Sequence, residues 1–199
     1  MNTVKTLVKE SQNKNRDAFA RLVEIYQDKV YGLSFQLTGN HSDAQDLAQD
    51  VFIRAYTNLD GFRNNADFGT WLHRIAVNHW INSRQKEKRL VTVSLDEPVR
   101  AGEEEMTREL AATGADPLEA VAGDESQDLV RSALRGLSRE HRAVLVLREI
   151  EGYNYEDMAA VLNCSVGTVK SRLNRARQLL RQKVVALAGE RGTRIPGRD

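Results

Sequence analysis

The chain has 199 residues, with 29 basic and 28 acidic side chains and a formal net charge of +1. Its apolar fraction of 41% and charged fraction of 29% are typical of globular proteins and exclude a largely disordered chain. It contains no apolar run of about 18 residues that would span a membrane and no apolar signal-peptide core. It has a single cysteine, Cys164, which excludes an internal disulfide. We therefore expect a cytoplasmic protein.

The first part of the chain has the pattern of three helices. Apolar side chains recur every three or four residues over 17–38, and Gly39 ends that helix. Ser42 with Gln45 three residues later forms a capping-box pattern that predicts the start of a second helix. The core face of this second helix comprises Ala44, Leu47, Val51 and Ala55. After a polar loop, a third helix is predicted over residues 70–89.

The charges are strongly segregated in the middle of the chain. Residues 90–126 carry ten acids and two bases, a charge of −8 that leaves +9 on the remainder. The same segment has no aromatic residue, so it cannot bury enough apolar surface to offset the entropy of ordering. We predict a flexible acidic linker over 91–126, between a domain at 1–90 and a domain at 127–188, with a flexible tail at 189–199.

The second domain also has helical periodicity throughout. Four helices are predicted over residues 127–137, 138–150, 154–162 and 165–187. No stretch of the chain alternates polar and apolar residues as a strand does. The predicted fold class is therefore all-α, with two small helical domains joined by the linker.

The last two helices have the pattern of a helix-turn-helix motif. A short helix capped by Asn154 is followed by the turn Asn163-Cys164-Ser165, and Ser165 then caps the long basic helix. Asn163 tolerates the left-handed conformation that such a turn requires. This motif commonly places its second helix in the major groove of DNA.

One face of the long helix has no acidic residue. At 100° per residue, Val169, Leu173, Ala176 and Leu180 face the core, and Lys170, Ser171, Asn174, Arg175 and Gln178 face away from it. These polar side chains donate hydrogen bonds to base edges and phosphates. The alternative is a solvated charged face on a bundle helix, but the short capped helix that precedes it favours DNA.

The loop before the third helix combines aromatic, amide and basic side chains. Phe62 and Phe68 flank Arg63 and Asn64, a composition that suits stacking of unpaired bases at about 1–3 kcal/mol each. The next helix continues with a polar stripe spaced near i,i+4, which comprises Arg74, Asn78, Asn82 and Gln85.

The helix before this loop has the opposite charge. Asp43, Asp46 and Asp50 form an acidic stripe beside the apolar face. A metal site is disfavoured because no histidine or carboxylate nearby in sequence completes a ligand set. The stripe better suits docking on a basic surface of a partner protein.

Four segments together resemble the extracytoplasmic-function sigma factors of the bacterial sigma-70 family. They are DAQDLAQDVFIRAY (43–56), FRNNADFGTWLHRIAVN (62–78), VLVLREIEGYNYEDMAAVL (144–162) and CSVGTVKSRLNRAR (164–177). The resemblance implies an initiation factor that performs no catalysis, needs no cofactor, and has no small-molecule substrate. It implies bacterial core RNA polymerase and promoter DNA as partners, and an anti-sigma factor that is often membrane-bound.

The resemblance also implies roles for individual residues. Those matching the polymerase-docking surface are Asp46, Leu47, Gln49, Asp50 and Phe52. Those matching the site that captures the −10 element are Phe62, Arg63, Asn64, Phe68, Asn78 and Asn82. Those matching readers of the −35 element are Lys170, Ser171, Asn174 and Arg175. Those matching positions that contact phosphate or backbone at the −35 element are Arg148, Tyr155, Glu156, Gly167 and Thr168.

Other classes of function explain the sequence less well. A pure interaction adaptor would share the helices but gains nothing from an acid-free recognition face. A stand-alone helix-turn-helix regulator explains residues 154–181 but not the acidic stripe and the aromatic loop. An enzyme is disfavoured because the four histidines form no metal-ligand pattern and the common phosphate-loop and nucleophile-elbow motifs are absent. A further hypothesis is an autoinhibited form in which the acidic linker covers the basic face near Lys170 and Arg175.

Overall fold

The structure is a computed structural model that describes residues 3–63, 67–92 and 125–191. Throughout these ranges the regular elements are helical and none is a strand, in agreement with the predicted all-α class. The N-terminal bundle consists of α1 (Val4–Gln12), α2 (Arg16–Thr38), α3 (His41–Thr57), a 3₁₀ turn (Leu59–Gly61) and α4 (Phe68–Thr92). The C-terminal bundle consists of α5 (Glu125–Arg135), α6 (Arg139–Leu145), a π-helical turn (Val146–Ile150), α7 (Tyr155–Leu162) and α8 (Val166–Arg191).

The junction between α2 and α3 is set by two adjacent residues. Gly39 ends α2 with φ of 82° and donates its N–H to the Phe35 carbonyl at 2.8 Å. The next residue, Asn40, caps α3, because its Oδ1 accepts from the Asp43 N–H at 2.8 Å. The prediction that Ser42 begins this helix is wrong, since Ser42 already lies inside the first turn.

The first helix, α1, is only nine residues long and was not predicted from the sequence. Its Leu7 and Val8 are buried against the rest of the bundle. Gln12 Nε2 donates to the carbonyls of Leu59 and Phe62 at 3.0 and 2.9 Å. This helix therefore fixes the segment that connects α3 to α4.

The predicted helix over 138–150 changes its winding part-way. After α6, a π-helical turn inserts an extra residue, and the Tyr153 N–H donates back to the Leu147 carbonyl at 2.9 Å. Such turns are frequent at functional sites. Here the turn brings Arg148 Nη1 within 2.7 Å of the Tyr153 carbonyl.

The buried apolar residues form one continuous core that runs through both bundles. Leu22, Leu33 and Leu72 fill it in the N-terminal bundle, and Leu147 and Leu173 fill it in the C-terminal bundle. The segment 93–124, which holds most of the predicted linker, lies outside the described residues, and so does most of the predicted tail. The tail was expected from residue 189, but α8 extends to Arg191.

Candidate nucleic-acid interface

The helix-turn-helix motif is built by three short side chains, each in its predicted role. Asn154 Oδ1 accepts from the Asp157 N–H at 2.7 Å and starts α7. Asn163 ends α7 in the left-handed conformation, with φ of 51° and ψ of 48°. Ser165 Oγ then accepts from the Thr168 N–H at 3.1 Å and starts α8. Two capped ends and one left-handed residue thus fix the angle between the two helices.

The predicted inner and outer faces of α8 are confirmed. Val169, Leu173 and Ala176 are buried, and Leu180 packs at the edge of the core. The side chains predicted to read bases are all exposed, and they comprise Lys170, Ser171, Asn174 and Arg175. This acid-free face is therefore available to enter a groove of DNA.

One aromatic ring holds two of the cations on this surface. The guanidinium of Arg148 and the ammonium of Lys170 lie 5.0 and 5.4 Å from the centroid of the Tyr155 ring. Such cation–π contacts restrict long side chains that would otherwise move freely. Only the family resemblance grouped Arg148, Tyr155 and Lys170 at the level of the sequence. Their contact could not be predicted from local spacing, because the three residues lie on the π-helical turn, α7 and α8.

The remaining residues of the predicted −35 set lie around the same motif. Glu156 and Gly167 are exposed, and Thr168 is half-buried. The hydroxyl of Thr168 lies 2.8 Å from Ser165 Oγ, so it takes part in the cap of α8.

The aromatic residues of the predicted −10 loop are not at the surface. Phe62 and Phe68 are 6% and 3% exposed, with ring centroids 5.4 Å apart, and both pack on Trp71. The expectation that these rings are free to stack on bases is wrong for this conformation. They fill the gap between α4 and the other helices of the bundle, where Phe68 also meets Tyr26 edge-on.

The polar residues of the predicted −10 set have different environments. Arg63 and Asn82 are exposed, whereas Asn64 lies outside the described residues. Asn78 is half-buried, and its Nδ2 donates to the Val161 carbonyl in α7 at 3.1 Å. The amide that was expected to hold a base therefore binds the C-terminal bundle here.

The acidic stripe of α3 is largely exposed, as a docking surface requires. Asp46, Gln49 and Asp50 are exposed, Phe52 is half-buried, and Asp50 Oδ2 lies 2.8 Å from His79 Nε2. Leu47 is only 6% exposed, so its predicted contact with a partner is not available. It points to the core because it belongs to the apolar face of α3.

Sequence reasoning missed an apolar residue on the same stripe. Ile53 is 56% exposed, which is the highest value among the exposed large apolar side chains of the described residues. It follows Asp46, Gln49 and Asp50 at helical spacings of seven, four and three residues, so all four share one face of α3. Its exposure is the signal that was not visible in the sequence, where Ile53 resembles any other apolar residue.

Both halves of the chain match known families. Residues 22–90 match the family "Sigma-70 region 2", and residues 127–180 match "Sigma-70, region 4". The chain is 38% identical over 183 residues to the ECF RNA polymerase sigma factor SigW of Bacillus subtilis, which covers 91% of this chain and 96% of that protein. The chain belongs to the extracytoplasmic-function sigma factors. It is also 35% identical over 185 residues to the ECF RNA polymerase sigma-E factor of Escherichia coli K12, covering 93% and 96% of the two chains.

Two solved structures share the fold of this sigma factor. The sigma factor RpoE of Bartonella quintana, in complex with the anti-sigma factor NepR, aligns with a TM-score of 0.59 and 27% identity over 83% of this chain and 96% of that one. CnrH, in complex with the cytosolic domain of CnrY, aligns with a TM-score of 0.58 and 25% identity over 90% and 96%. None of the helices within residues 3–63, 67–92 and 125–191 of the present chain has the length and hydropathy of a membrane span.

Proposed function

We propose that this sigma factor directs bacterial core RNA polymerase to promoters by reading the −35 element with α8 and capturing the −10 element with α4. The observation that carries the proposal is the exposed, acid-free face of α8, held in place by the capped motif. The chain itself performs no reaction in this account, and it acts in the cytoplasm.

The −35 contacts divide into reading and positioning groups. Arg175 and Lys170 suit guanine edges, and Asn174 suits adenine. Arg148 and Tyr155 sit beside Lys170, where they suit contacts with phosphate. Ser171 completes the reading face, and Glu156, Gly167 and Thr168 flank it.

The −10 contacts come from the surface of the N-terminal bundle. We infer that Asn78 holds an extruded base, with Asn82, Arg63 and Asn64 beside it. Extruding a base costs a few kcal/mol, so the contacts must offset that cost. Phe62 and Phe68 support this site from the core, because their rings are buried.

The stripe on α3 is proposed as the surface that docks on the polymerase. Asp46, Gln49 and Asp50 supply polar and acidic groups, and Phe52 lies beside them. Ile53 adds exposed apolar area at the end of the stripe. An apolar group surrounded by polar ones is the usual composition of a binding hot spot and its rim.

The proposed domains are 1–90 and 127–188, joined by a linker over 91–126. The proposed tail begins after α8, which ends at Arg191. Tethering two weak DNA-binding modules to one polymerase raises the effective concentration of the second module.

The solved relatives RpoE and CnrH are bound to NepR and to the cytosolic domain of CnrY. We infer that an anti-sigma factor also binds this chain.

The test is transcription from fragmented genomic DNA by bacterial core polymerase, with and without the full chain. We expect new, discrete start sites that share upstream elements. Absence of new starts, together with tight polymerase-free binding to a duplex site, would instead identify a stand-alone regulator.

A further inference from the structure

An acidic side chain from a neighbouring element lies beside α8. Glu149, in the π-helical turn, is exposed, and its Oε1 accepts from Nη2 and Nε of Arg177 at 2.6 and 3.0 Å. Neither residue belongs to the sets that were predicted to contact DNA. A carboxylate close to a DNA-binding surface repels phosphate, so its presence there calls for a physical reason.

Arg177 shares a stripe of α8 with two of the predicted base readers. It follows Lys170 by seven residues and Asn174 by three, which places all three on one side of the helix. Seven residues span about 10 Å along a helix axis. Glu149 therefore binds this stripe about two helical turns beyond Lys170.

The residue before Glu149 engages the other end of the same stripe. Arg148 Nη1 donates to the Tyr153 carbonyl at 2.7 Å, and its guanidinium carbon lies 5.0 Å from the centroid of the Tyr155 ring. The ammonium of Lys170 lies 5.4 Å from the same centroid. Two consecutive residues thus join the turn to α8 at two places, the first of them through the ring of Tyr155.

The two sides of the π-helical turn are held in different ways. Leu147 is buried in the core, whereas Ile150 is 47% exposed and Glu149 is exposed as well. Apolar packing therefore fixes the inner side of the turn. The ion pair with Arg177 restrains the outer side, directly next to Arg148.

A restrained guanidinium binds phosphate at a lower entropic cost than a mobile one. Ordering a long side chain costs free energy that is subtracted from the free energy of binding. Arg148 and Lys170 are already held beside one ring, and two neighbouring cations attract an anion between them. A displaced turn would remove Arg148 from this arrangement.

We propose that Glu149 is a positioning residue for recognition of the −35 element, which fixes Arg148 for its phosphate contact by binding Arg177. The inference rests on the proposed function, in which Arg148 meets phosphate at that element. Glu149 itself makes no contact with DNA. Simple electrostatics predicts the opposite effect of its loss, because removing an acid beside DNA ordinarily strengthens binding.

The test variant is Glu149→Gln, which keeps the size of the side chain and removes its charge. An exposed ion pair contributes little to stability, so the variant should fold, and urea unfolding checks this. Asp128→Asn is the matched control, because Asp128 is a similarly exposed acid that pairs with an arginine, Arg131, at 3.3 Å. It makes the same change of charge in α5, outside the helix-turn-helix motif.

Binding is measured by fluorescence anisotropy of a labelled duplex, with the full chain assembled on bacterial core polymerase. One duplex is a promoter mapped with the parent chain, and the other has its −35 element scrambled. We expect Glu149→Gln to weaken promoter binding about three- to tenfold. The slope of affinity against salt should fall by about one phosphate contact, as it should for Arg148→Ala. Asp128→Asn should stay within about twofold of the parent, because salt screens distant charges.

A second variant separates positioning from a direct DNA contact by Arg177. If Glu149 and Arg177 act as a pair, Arg177→Gln loses about as much affinity as Glu149→Gln, and the double variant loses no more than either. Losses that add in the double variant would overturn the proposal, because Arg177 would then act independently of Glu149.

The sign of the effect decides the role of Glu149. Affinity of Glu149→Gln equal to that of the parent, or higher, would overturn positioning, because the carboxylate would then be a passive or competing partner of Arg177. Equal binding of the promoter and the scrambled duplex by the parent chain on polymerase would instead count against the proposed function, before any variant is compared.

Discussion

Replacing Arg142 with alanine tests how strongly the two bundles stabilise each other. Arg142 is 6% exposed, and it donates to the carbonyls of Leu37, Thr38 and Arg135. A hydrogen bond to a charged group contributes about 1.5–3 kcal/mol, and buried carbonyls left without donors incur a further desolvation cost. Loss of the contact with Trp80 adds about 0.5–2 kcal/mol.

These contributions overlap, since water can reach some of the freed carbonyls. We therefore expect Arg142→Ala to lower the free energy of unfolding by about 3–4 kcal/mol. Urea unfolding of the full chain, followed by far-UV circular dichroism and by the fluorescence of Trp71 and Trp80 in the N-terminal bundle, measures this loss. The two signals should change together in the parent chain and separate in the variant, because Arg142 couples the bundles.

The matched control is Arg131→Ala. Arg131 is an exposed arginine that pairs with Asp128 at 3.3 Å. An exposed pair of this kind contributes only about 0–1 kcal/mol. A loss below about 1 kcal/mol for Arg142→Ala, equal to that of the control, would refute the reasoning from its three carbonyl acceptors.

Three further predictions concern a titration, a docking surface and a base pocket. Burial, and then the charge of Lys29, lowers the pKa of His73 from its ordinary 6.5 to about 4. The unfolded chain therefore binds the proton first, and stability falls as the pH drops from about 6.5 to 4, by up to roughly 3 kcal/mol. Urea unfolding at several pH values should show this loss reduced in His73→Gln, and an identical pH dependence would contradict the assignment. Ile53→Arg should weaken binding to core polymerase at least about tenfold, because it removes an apolar contact and inserts a cation. Fluorescence anisotropy of the labelled chain measures this affinity, and an unchanged affinity would remove Ile53 from the docking surface. Asn78→Ala should reduce the yield of open complexes, measured by permanganate footprinting, more than it reduces closed-complex binding, and equal reduction would argue against base capture.

Local geometry was predictable from the sequence because a few neighbouring residues determine it. Asn154, Asn163 and Ser165 each act on a backbone group within four residues, so their roles could be read from residue type and spacing. The inner and outer faces of α8 followed from helical periodicity. The cap at Ser42 was misplaced because Asn40 offers an equivalent side chain two residues earlier, and the sequence pattern does not distinguish them.

The packing of the aromatic loop was not predictable from its composition. Phe62 and Phe68 lie among polar residues in sequence, but Trp71 and Tyr26 surround them in space. Leu47 was assigned both to the core face and to the docking surface, and burial decides for the core. In each case neighbours from another helix determine exposure.

The interface between the bundles was the least accessible feature. Arg142 and Leu37 are 105 residues apart, and Asn78 and Val161 are 83 residues apart. Neither pair has a pattern that a local window detects, since an arginine in a helix is ordinarily a surface residue. The carbonyls at a helix end lack intrahelical donors in any fold, but the identity of their partners depends on the three-dimensional arrangement.

The central claim is that the exposed face of α8 selects the promoter, and mapping start sites for Arg175→Ala tests it most directly. The variant and the parent chain would be combined with bacterial core polymerase on the same fragmented genomic DNA. We predict that starts of the variant keep the −10 element but show relaxed preference at one position of the −35 element, with a loss of about 1–3 kcal/mol at the parent promoters. The same promoters used at uniformly lower yield, with no change in the −35 element, would contradict the claim and make Arg175 a phosphate contact.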